Sequence, residues 1–256
     1  MTLTLLATNA GLVLVLVTAL WLVSVFRRDA SLIDPWWSIS FLLVTVHTAL
    51  ATGLTPGKWL LLGMVATWAL RLWLHLLLRS RGKPEDPRYA AFRQRYGAAR
   101  YWWVSYFQVF LLQGALALFI SAPLQLAASA AGAITPLAIA GLVVFGVGLT
   151  FEIVADAQLQ AFRDDPSKRG KVLDTGLWRY SRHPNYFGEA LLWWGFWLTA
   201  LGLPLGLFTV LAPALMTFLL LKVSGVAMLD EHLSRTRPGF ADYMRRTSGF
   251  LPRPPR

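Results

Sequence analysis

Ionisable side chains occur at helical spacing inside long apolar segments. Arg71 and His75 are four residues apart in one segment, and Glu152 and Asp156 are four apart in another. Residues at this spacing share one face of a helix. An ionisable group is costly inside a membrane, which makes each of them a functional candidate. Two more groups of this kind are Asp34 and Glu189. Together they predict a polar ligand cavity between helices, the alternative being polar pairing that only holds helices together.

A basic group follows Asp156. Gln160 and Arg163 prolong the same helical face, and further donors follow at Lys168, Arg169, Lys171, Arg179, Tyr180, Arg182, Asn185 and Tyr186. Guanidinium groups hold phosphates through paired hydrogen bonds. The acids of the same face suit ribose hydroxyls and a carboxamide, because an ionised carboxylate only accepts hydrogen bonds. Phosphate, sugar and amide groups together describe a nucleotide.

The usual dinucleotide-binding motif does not account for such a site. The stretch "FGVGLTF" at 145–151 contains Gly-x-Gly, but it lies within an apolar segment and no strand precedes it. Its glycines are therefore predicted to serve helix packing. A cofactor would have to be held by side chains between helices.

The elements that position these residues are predicted to be membrane helices. The chain has 256 residues, of which 56% are hydrophobic and 14% are charged. Such a composition is typical of a membrane protein. Seven segments approach the length needed to cross a hydrocarbon core of about 30 Å. They are 3–25, 36–54, 59–78, 103–127, 134–155, 187–203 and 205–224. We expect one all-α domain over 1–256: an integral membrane bundle of seven transmembrane helices with a tail at 225–256.

The distribution of charge predicts the orientation. The net charge is +11, and nearly all cations fall in alternate loops and the tail. By the positive-inside rule the amino terminus lies outside and the carboxy terminus inside. The long inner loops 79–102 and 157–186 are then expected to cap a cofactor cavity that faces the cytoplasm, in a bacterial inner membrane. Because topology and anionic lipid explain the cations, nucleic acid is not expected as a partner.

Other classes of site and partner are not indicated. Cysteine is absent and the four histidines are dispersed, so we expect no metal site and no thiolate chemistry. No internal repeat is evident, which weakens a transporter interpretation. The expected partners are membrane lipids and a hydrophobic small molecule, and no obligatory protein partner is evident.

Three stretches carry a resemblance to a known family. They are "GLWRYSRHPNYFGEALLWWG" at 176–195, "DEH" at 230–232 and the terminal "ADYMRRTSGFLP". They resemble the carboxy-terminal half of the steroid 5-alpha-reductase family, and most closely its bacterial branch described as a domain of unknown function. The resemblance covers roughly residues 60–256. A weaker form of the Arg-His-Pro motif is shared with membrane isoprenylcysteine methyltransferases and sterol reductases, so it indicates the architecture more firmly than the reaction.

The resemblance implies an NADPH-dependent oxidoreductase that transfers a hydride to the C=C bond of a 3-oxo-4-ene steroid. It places cofactor-binding positions at Glu152, Asp156, Arg163, Lys171, Asn185, Glu189, His232 and Tyr243. With the basic group and neighbouring motif positions, the predicted cofactor site also includes Gln160, Arg179, Arg182, His183, Tyr186 and Glu231. The surplus of cations favours NADPH over NADH, since a 2′-phosphate needs cations of its own.

The resemblance also implies that Asp34, in "LIDPWW", holds the substrate ketone. The tyrosine that partners this acid in the animal enzymes has no counterpart, because the matching stretch "WALRLWLHLLLRSRGKP" holds Arg71 and His75. We therefore expect a protonated Asp34, helped by Arg71 or His75, to polarise the ketone, with Trp36 and Trp37 lining the substrate. The alternative for Asp34 is a helix start, as Asp followed by Pro is a common pair there.

Three further alternatives stay open. The first is a methyltransferase that uses S-adenosylmethionine on a membrane-embedded substrate, although this cofactor carries no phosphate for the basic group to bind. The second concerns "KPEDPRY" at 83–89, which could close over the cofactor or form a salt-bridged loop. The third concerns His47 on the second predicted helix, which we expect to be a packed histidine with its hydrogen bonds satisfied rather than a functional group.

Overall fold

The structure, a computed structural model, describes residues 2–223 and 225–255. The side chain of His232, one of the predicted cofactor residues, lies outside the described part. About four fifths of the chain is helical, and the described residues contain no strand. The predicted all-α class is confirmed.

Twelve α-helices are described in this part of the chain. They are α1 Leu3–Arg27, α2 Ile33–Ala51, α3 Pro56–Ser80, α4 Pro87–Tyr96, α5 Ala98–Ser105, α6 Leu112–Ile120, α7 Ala122–Ala130, α8 Pro136–Asp164, α9 Pro184–Leu201, α10 Leu211–Phe218, α11 Val226–Thr236 and α12 Phe240–Arg246. The π-helical turn Tyr106–Leu111 joins α5 to α6, and the π-helical turn Leu219–Val223 follows α10. Short 3-10 turns occupy Ala30–Leu32, Pro166–Lys168, Gly176–Arg179 and Gly206–Val210.

Five helical stretches are long and apolar enough to cross a membrane. They are Leu3–Arg27, Pro56–Ser80, Ala98–Ile120, Pro136–Asp164 and Gly206–Thr236. Such a set indicates a multi-pass membrane protein. The two other predicted spans coincide with α2 and α9, which are shorter. The count of seven spans and the outside position of the amino terminus stay predictions.

The fourth predicted segment, 103–127, differs from the structure. Its helix begins earlier, at Ala98, and ends at Ile120, after which α7 starts at Ala122. Pro123 lies in the first turn of α7. A proline has no amide hydrogen to donate to a preceding turn, so it suits a helix start and interrupts a continuous helix. Apolar composition alone did not reveal this break.

The helices group into two compact units. The first comprises Met1–Thr135 with Leu203–Gly206, and the second comprises Pro136–Gly202 with Leu207–Arg256. In the first unit, α2 and α3 pack along each other. Lys58 joins their ends, since its Nζ donates to the carbonyl oxygens of Thr52 (3.1 Å) and Gly53 (2.8 Å).

A polar network is buried in the first unit. The Nδ2 atom of Asn9 donates to Thr48 Oγ1 (2.9 Å) and Gln125 Oε1 (2.8 Å), and Asn9 Oδ1 lies 2.7 Å from Nδ1 of His47. Each of these groups thus has a partner, as buried polar groups require. The packing role predicted for His47 is confirmed.

In the second unit, glycines let α8 and α9 approach closely. A Cβ atom on Gly148 would lie 2.7 Å from the carbonyl oxygen of Gly188, and one on Gly188 would lie 2.5 Å from that of Gly148. Gly141 and Gly195 form a second such pair. The packing role predicted for the Gly-x-Gly stretch holds for Gly148, whereas nothing lies within 4 Å of a Cβ on Gly146. This close contact determines which face of α8 packs against which face of α9.

Candidate functional site

Asp34 lies at the centre of a hydrogen-bonded cluster in the first unit. Its Oδ1 accepts from the Tyr89 hydroxyl at 2.6 Å, and its Oδ2 accepts from Nη2 of Arg88 at 2.8 Å. The Tyr89 hydroxyl in turn accepts from Nε2 of Gln113 at 3.0 Å. We call Asp34, Arg88, Tyr89 and Gln113 the acid–tyrosine cluster. A tyrosine therefore does partner Asp34, and it comes from α4 rather than from the stretch that holds Arg71 and His75.

The start of α4 is fixed over the start of α2 by local hydrogen bonds. The Ala30 amide donates to Glu85 Oε1 (2.8 Å), and the Asp86 amide donates to Ser31 Oγ (2.8 Å). Asp86 is the N-cap of α4, which places Tyr89 in its first turn. These contacts explain how residues so distant in sequence reach Asp34.

Ion pairs stabilise the same segment. Glu85 pairs with Arg93, and Asp86 pairs with Arg88, each at 2.8 Å. Burial alone would raise the pKa of Glu85, but hydrogen bonds from Arg93 and the Ala30 amide outweigh it and lower this pKa. The pKa of Asp86 is lowered in the same way, against its burial, by the side chain and amide of Arg88. The salt-bridged alternative for "KPEDPRY" is confirmed; closure over a cofactor stays a prediction.

Asp34 does not cap a helix. The N-cap of α2 is Leu32, which makes no side-chain capping bond, and Asp34 lies within the first helical turn. Its carboxyl faces Arg88 and Tyr89 instead. Burial raises the pKa of Asp34, and the opposing Arg88 charge and Tyr89 hydrogen bond do not cancel the rise. Burial also raises the pKa of the Tyr89 hydroxyl, and the Asp34 carboxylate adds to that shift. Asp34 therefore lies at a helix start, as the alternative predicted, but it is not the N-cap, and its hydrogen bond with Tyr89 remains available for proton chemistry.

The other residues predicted for the substrate end belong to the same unit. Trp37 donates from Nε1 to the Gln113 carbonyl oxygen at 3.2 Å, which links α2 to α6. Trp36 packs edge-on against Trp73 of α3, with ring centroids 5.8 Å apart. Arg71 and His75 are half-buried, one turn apart on α3. Their predicted help to Asp34 stays a prediction.

In the second unit, α8 and α9 bring four of the predicted cofactor residues onto facing surfaces. Nδ2 of Asn185 donates to Oδ1 of Asp156 at 3.1 Å. Glu189 is buried and accepts from Nε1 of Trp193 at 3.0 Å. Glu152 is also buried, one turn before Asp156. The packing of glycines thus aligns carboxylates and an amide, which are groups that can bind hydroxyls and an amide of a ligand.

A pocket of about 140 Å³ lies beyond the end of α8. We call it the basic pocket; its lining residues are Phe162, Arg163, Lys168, Arg169, Gly170, Lys171 and Arg237. Five of them are cationic, and Lys168 pairs with Asp165 at 3.2 Å. Arg163 and Lys171 were predicted for the cofactor, and the structure brings them together. A small pocket with this lining suits a phosphate group.

Arg182 and His183 serve a different purpose. Asp230 accepts from Arg182 Nη2 (2.6 Å) and lies 2.9 Å from His183 Nε2. Arg182 Nη1 also donates to the carbonyl oxygens of Met244 (3.1 Å) and Thr247 (2.6 Å). We call Arg182, His183 and Asp230 the tail clasp, since it ties the start of α9 to α11 and to the segment after α12.

Tyr243, in α12, also ties the tail to the segment before α9. Its hydroxyl donates to the carbonyl oxygen of Trp178, and burial raises its pKa. The His183 ring stacks on Tyr186 with centroids 5.6 Å apart. The remaining predicted residues lie at the surface: Gln160 donates to Asp164, Glu231 pairs with Arg235, and Arg179 is exposed. The predicted cofactor residues therefore fall into four groups. They line the basic pocket, lie on the facing surfaces of α8 and α9, belong to the contacts of the tail clasp, or lie at the protein surface.

Residues 20–247 match the protein family described as "Protein of unknown function (DUF1295)", which covers most of the chain. The chain belongs to the DUF1295 family. This family contains steroid 5-alpha-reductase-like proteins. DUF1295 membership is compatible with an enzyme but does not define a reaction.

This DUF1295 chain is also similar to one named relative. "Probable O-methyltransferase ustE" from Ustilaginoidea virens is 38% identical over 72 residues. The matched stretch is 27% of this chain and spans only 25% of the relative. No solved structure matches the chain at a significant level.

Some residues of this DUF1295 chain were missed because their roles depend on tertiary contacts. Gln113 is neutral, so it does not stand out among the ionisable groups of the apolar segments. Asp230 stands beside the two residues chosen from "DEH", yet it is the one that faces Arg182. Arg237 lines the basic pocket from the end of α11. A helix could have been predicted at Pro87 from the preceding Asp86, but not its contact with Asp34.

Proposed function

We propose that this chain is an NADPH-dependent reductase that transfers a hydride to the C=C bond of a 3-oxo-4-ene steroid or a similar membrane-soluble enone. The observation that carries the proposal is the contact of Asp34 with Tyr89 and Arg88. An acid with a raised pKa, held between two donors and beside Trp36 and Trp37, is suited to a ketone oxygen of an apolar molecule.

Asp34 acts as the proton donor in this mechanism. Hydride addition at the carbon beta to the ketone builds negative charge on the oxygen, and a donor at that oxygen stabilises it. The proton of the Asp34 carboxyl moves to the oxygen and gives an enol. The enol becomes the saturated ketone when its alpha carbon takes a proton from water and its hydroxyl proton returns to the Asp34 carboxylate, so that one hydride and one solvent proton are added overall.

Tyr89 and Arg88 stabilise the carboxylate that Asp34 becomes. Tyr89 donates to one carboxylate oxygen and Arg88 to the other. Hydrogen bonds from donors of this kind favour the charged form of an acid. The two residues thereby make proton loss from Asp34 easier at the moment when the substrate oxygen needs the proton.

The second unit supplies groups that fit the cofactor. The five cations of the basic pocket match the charge of a phosphate, with Arg163 and Lys171 as its principal binding residues. Asp156, Asn185 and Glu189 offer the acceptors and the amide that a sugar and a carboxamide need. NADPH, when bound, supplies the hydride.

A second candidate is a methyltransferase that uses S-adenosylmethionine. The similarity to the O-methyltransferase-named relative favours it, over about a quarter of each chain. S-adenosylmethionine has no phosphate, so this candidate leaves the basic pocket without a cofactor role. It also gives Asp34 no ketone to polarise.

Ligand-induced stabilisation of the purified protein in detergent tests the two candidates. A ligand present at about 100 times its Kd stabilises the folded state by about 2.7 kcal/mol. We expect NADPH to raise the melting temperature, NADH to raise it less, and S-adenosylmethionine to leave it unchanged. Stabilisation by S-adenosylmethionine alone would favour the methyltransferase, and no response to either nucleotide would contradict the reductase.

A further inference from the structure

Gln113 forms the outer end of a chain of hydrogen bonds to Asp34. Its Nε2 donates to the Tyr89 hydroxyl at 3.0 Å, and that hydroxyl donates to Asp34 Oδ1 at 2.6 Å. An amide nitrogen can only donate, and a phenol has a single proton. With Gln113 in place, the Tyr89 oxygen accepts on one side and its proton points to Asp34.

The position of Gln113 is itself fixed. It follows the π-helical turn Tyr106–Leu111 by two residues, and such turns change the face that later residues present. Its carbonyl oxygen accepts from Nε1 of Trp37, on the same helix as Asp34. The amide is thus held relative to the helix that carries the acid.

We propose that Gln113 is a positioning residue that sets the direction of this chain, so that Asp34, and not Tyr89, delivers a proton to a bound ketone. The inference rests on the proposed reductase function for its ketone. It adds a residue outside the predicted site and assigns different tasks to the two members of the pair: Asp34 transfers the proton, and Tyr89 stabilises the carboxylate.

The surroundings of Asp34 give the direction of the expected effect. Arg88 and Tyr89 favour its charged form, Asp86 disfavours it, and Gln113 adds a favourable hydrogen bond. Other charged or titratable groups near the start of α2 or on elements packed against it are Arg27, Arg28, Asp29, Lys58, Arg71, His75, Arg79 and Glu85. Loss of the Gln113 amide therefore raises the pKa of Asp34, because the carboxylate loses support while the protonated form does not.

The test compares Gln113→Met with Gln108→Met in the full-length protein in detergent. Methionine keeps the size of glutamine and removes its amide. Gln108 lies in the same helical stretch, and its buried Oε1 has no hydrogen-bond partner among the described residues. The readout is the pKa of Asp34 from the carboxyl 13C shift of labelled aspartate, assigned with Asp34→Asn.

We expect a rise of roughly one pH unit in Gln113→Met and no change in Gln108→Met. An unchanged pKa in Gln113→Met, or equal rises in both variants, overturns the inference. If Gln113→Met does not fold, Gln113→Glu takes its place, and its carboxylate must raise the pKa of Asp34 further. This readout needs no substrate, so an absence of reductase turnover would contradict the proposed function and leave the test of Gln113 intact.

Discussion

The hydroxyl of Tyr89 lies 2.6 Å from Oδ1 of Asp34, although the two residues are 55 positions apart in the chain. The contact joins the first turn of α2 to the first turn of α4. It gives the half-buried acid a donor that supports its charged form, while removal from water opposes that form. An acid balanced in this way can both hold and release a proton, which is the property that the proposed reduction requires.

Tyr89→Phe removes the hydroxyl and keeps the ring. We expect kcat to fall about 10- to 100-fold, the effect of losing one hydrogen bond to a charged group. The pKa of Asp34 rises in this variant, so the remaining activity extends to higher pH before Asp34 loses its proton. The measurement is the pH profile of kcat/KM, with Tyr96→Phe on the same helix as the control. An unshifted alkaline limb in Tyr89→Phe would contradict the role of Tyr89.

Arg163→Ala and Lys171→Ala remove cations from the basic pocket. We expect each to weaken NADPH binding about 10-fold, as for a charged contact to phosphate, and to reduce the preference for NADPH over NADH. Arg95→Ala and Arg100→Ala, in the basic segment of the first unit, are the matched controls. Binding titrations at constant ionic strength compare the four variants. Equal losses at both places would show that general charge, rather than the pocket, attracts the nucleotide.

Arg182→Met breaks the tail clasp. The side chains of Arg182 and Asp230 are only 12% and 11% exposed, so the variant leaves Asp230 with less compensation for its burial. We expect a loss of about 3 kcal/mol in the free energy of unfolding. Arg235→Met removes one partner of a pair that is 75% and 64% exposed, and it should cost less than about 0.5 kcal/mol. Similar unfolding midpoints for the two variants would refute the structural role of the clasp.

Acid should destabilise the segment that carries Tyr89. The pKa values of Glu85 and Asp86 are lower in the folded protein than their ordinary values of about 4.3 and 3.9. Their contribution to stability is therefore complete above those ordinary values and is lost as pH falls through the lowered ones. We expect Glu85→Gln to be less stable at neutral pH and less sensitive to acid than the wild type. Melting temperatures between about pH 7 and pH 3 decide this, with exposed Glu231→Gln as the control.

Hydropathy made the helices predictable. Each of the seven predicted segments is largely helical, because long apolar runs need their backbone groups paired internally whatever their neighbours are. The break at Ser121 was not predicted, since Pro123 changes the backbone without changing the apolar character of the segment. The close approach of α8 to α9 at Gly148 followed from the small residues that permit it.

The site was less predictable, because its contacts depend on chain segments far apart in sequence. Residue type identified Asp34 and the cations Arg163 and Lys171, but not which groups face them. Tyr89 reaches Asp34 only because Glu85 and Asp86 hold α4 against Ala30 and Ser31. Arg182 was chosen as a phosphate-binding cation, yet its donors are engaged by Asp230 and by the carbonyl oxygens of the tail.

The most direct test of the central claim is the oxidation of NADPH by the purified protein when a 3-oxo-4-ene steroid is added. Nicotinamide absorbance is followed in wild type, in Asp34→Asn, and in Asp29→Asn as a nearby control. We predict steroid-dependent loss of absorbance in wild type and Asp29→Asn, with the saturated ketone as product, and a rate lower by about 100-fold or more in Asp34→Asn. Equal rates in wild type and Asp34→Asn, or no steroid-dependent oxidation in any of the three proteins, would contradict the account.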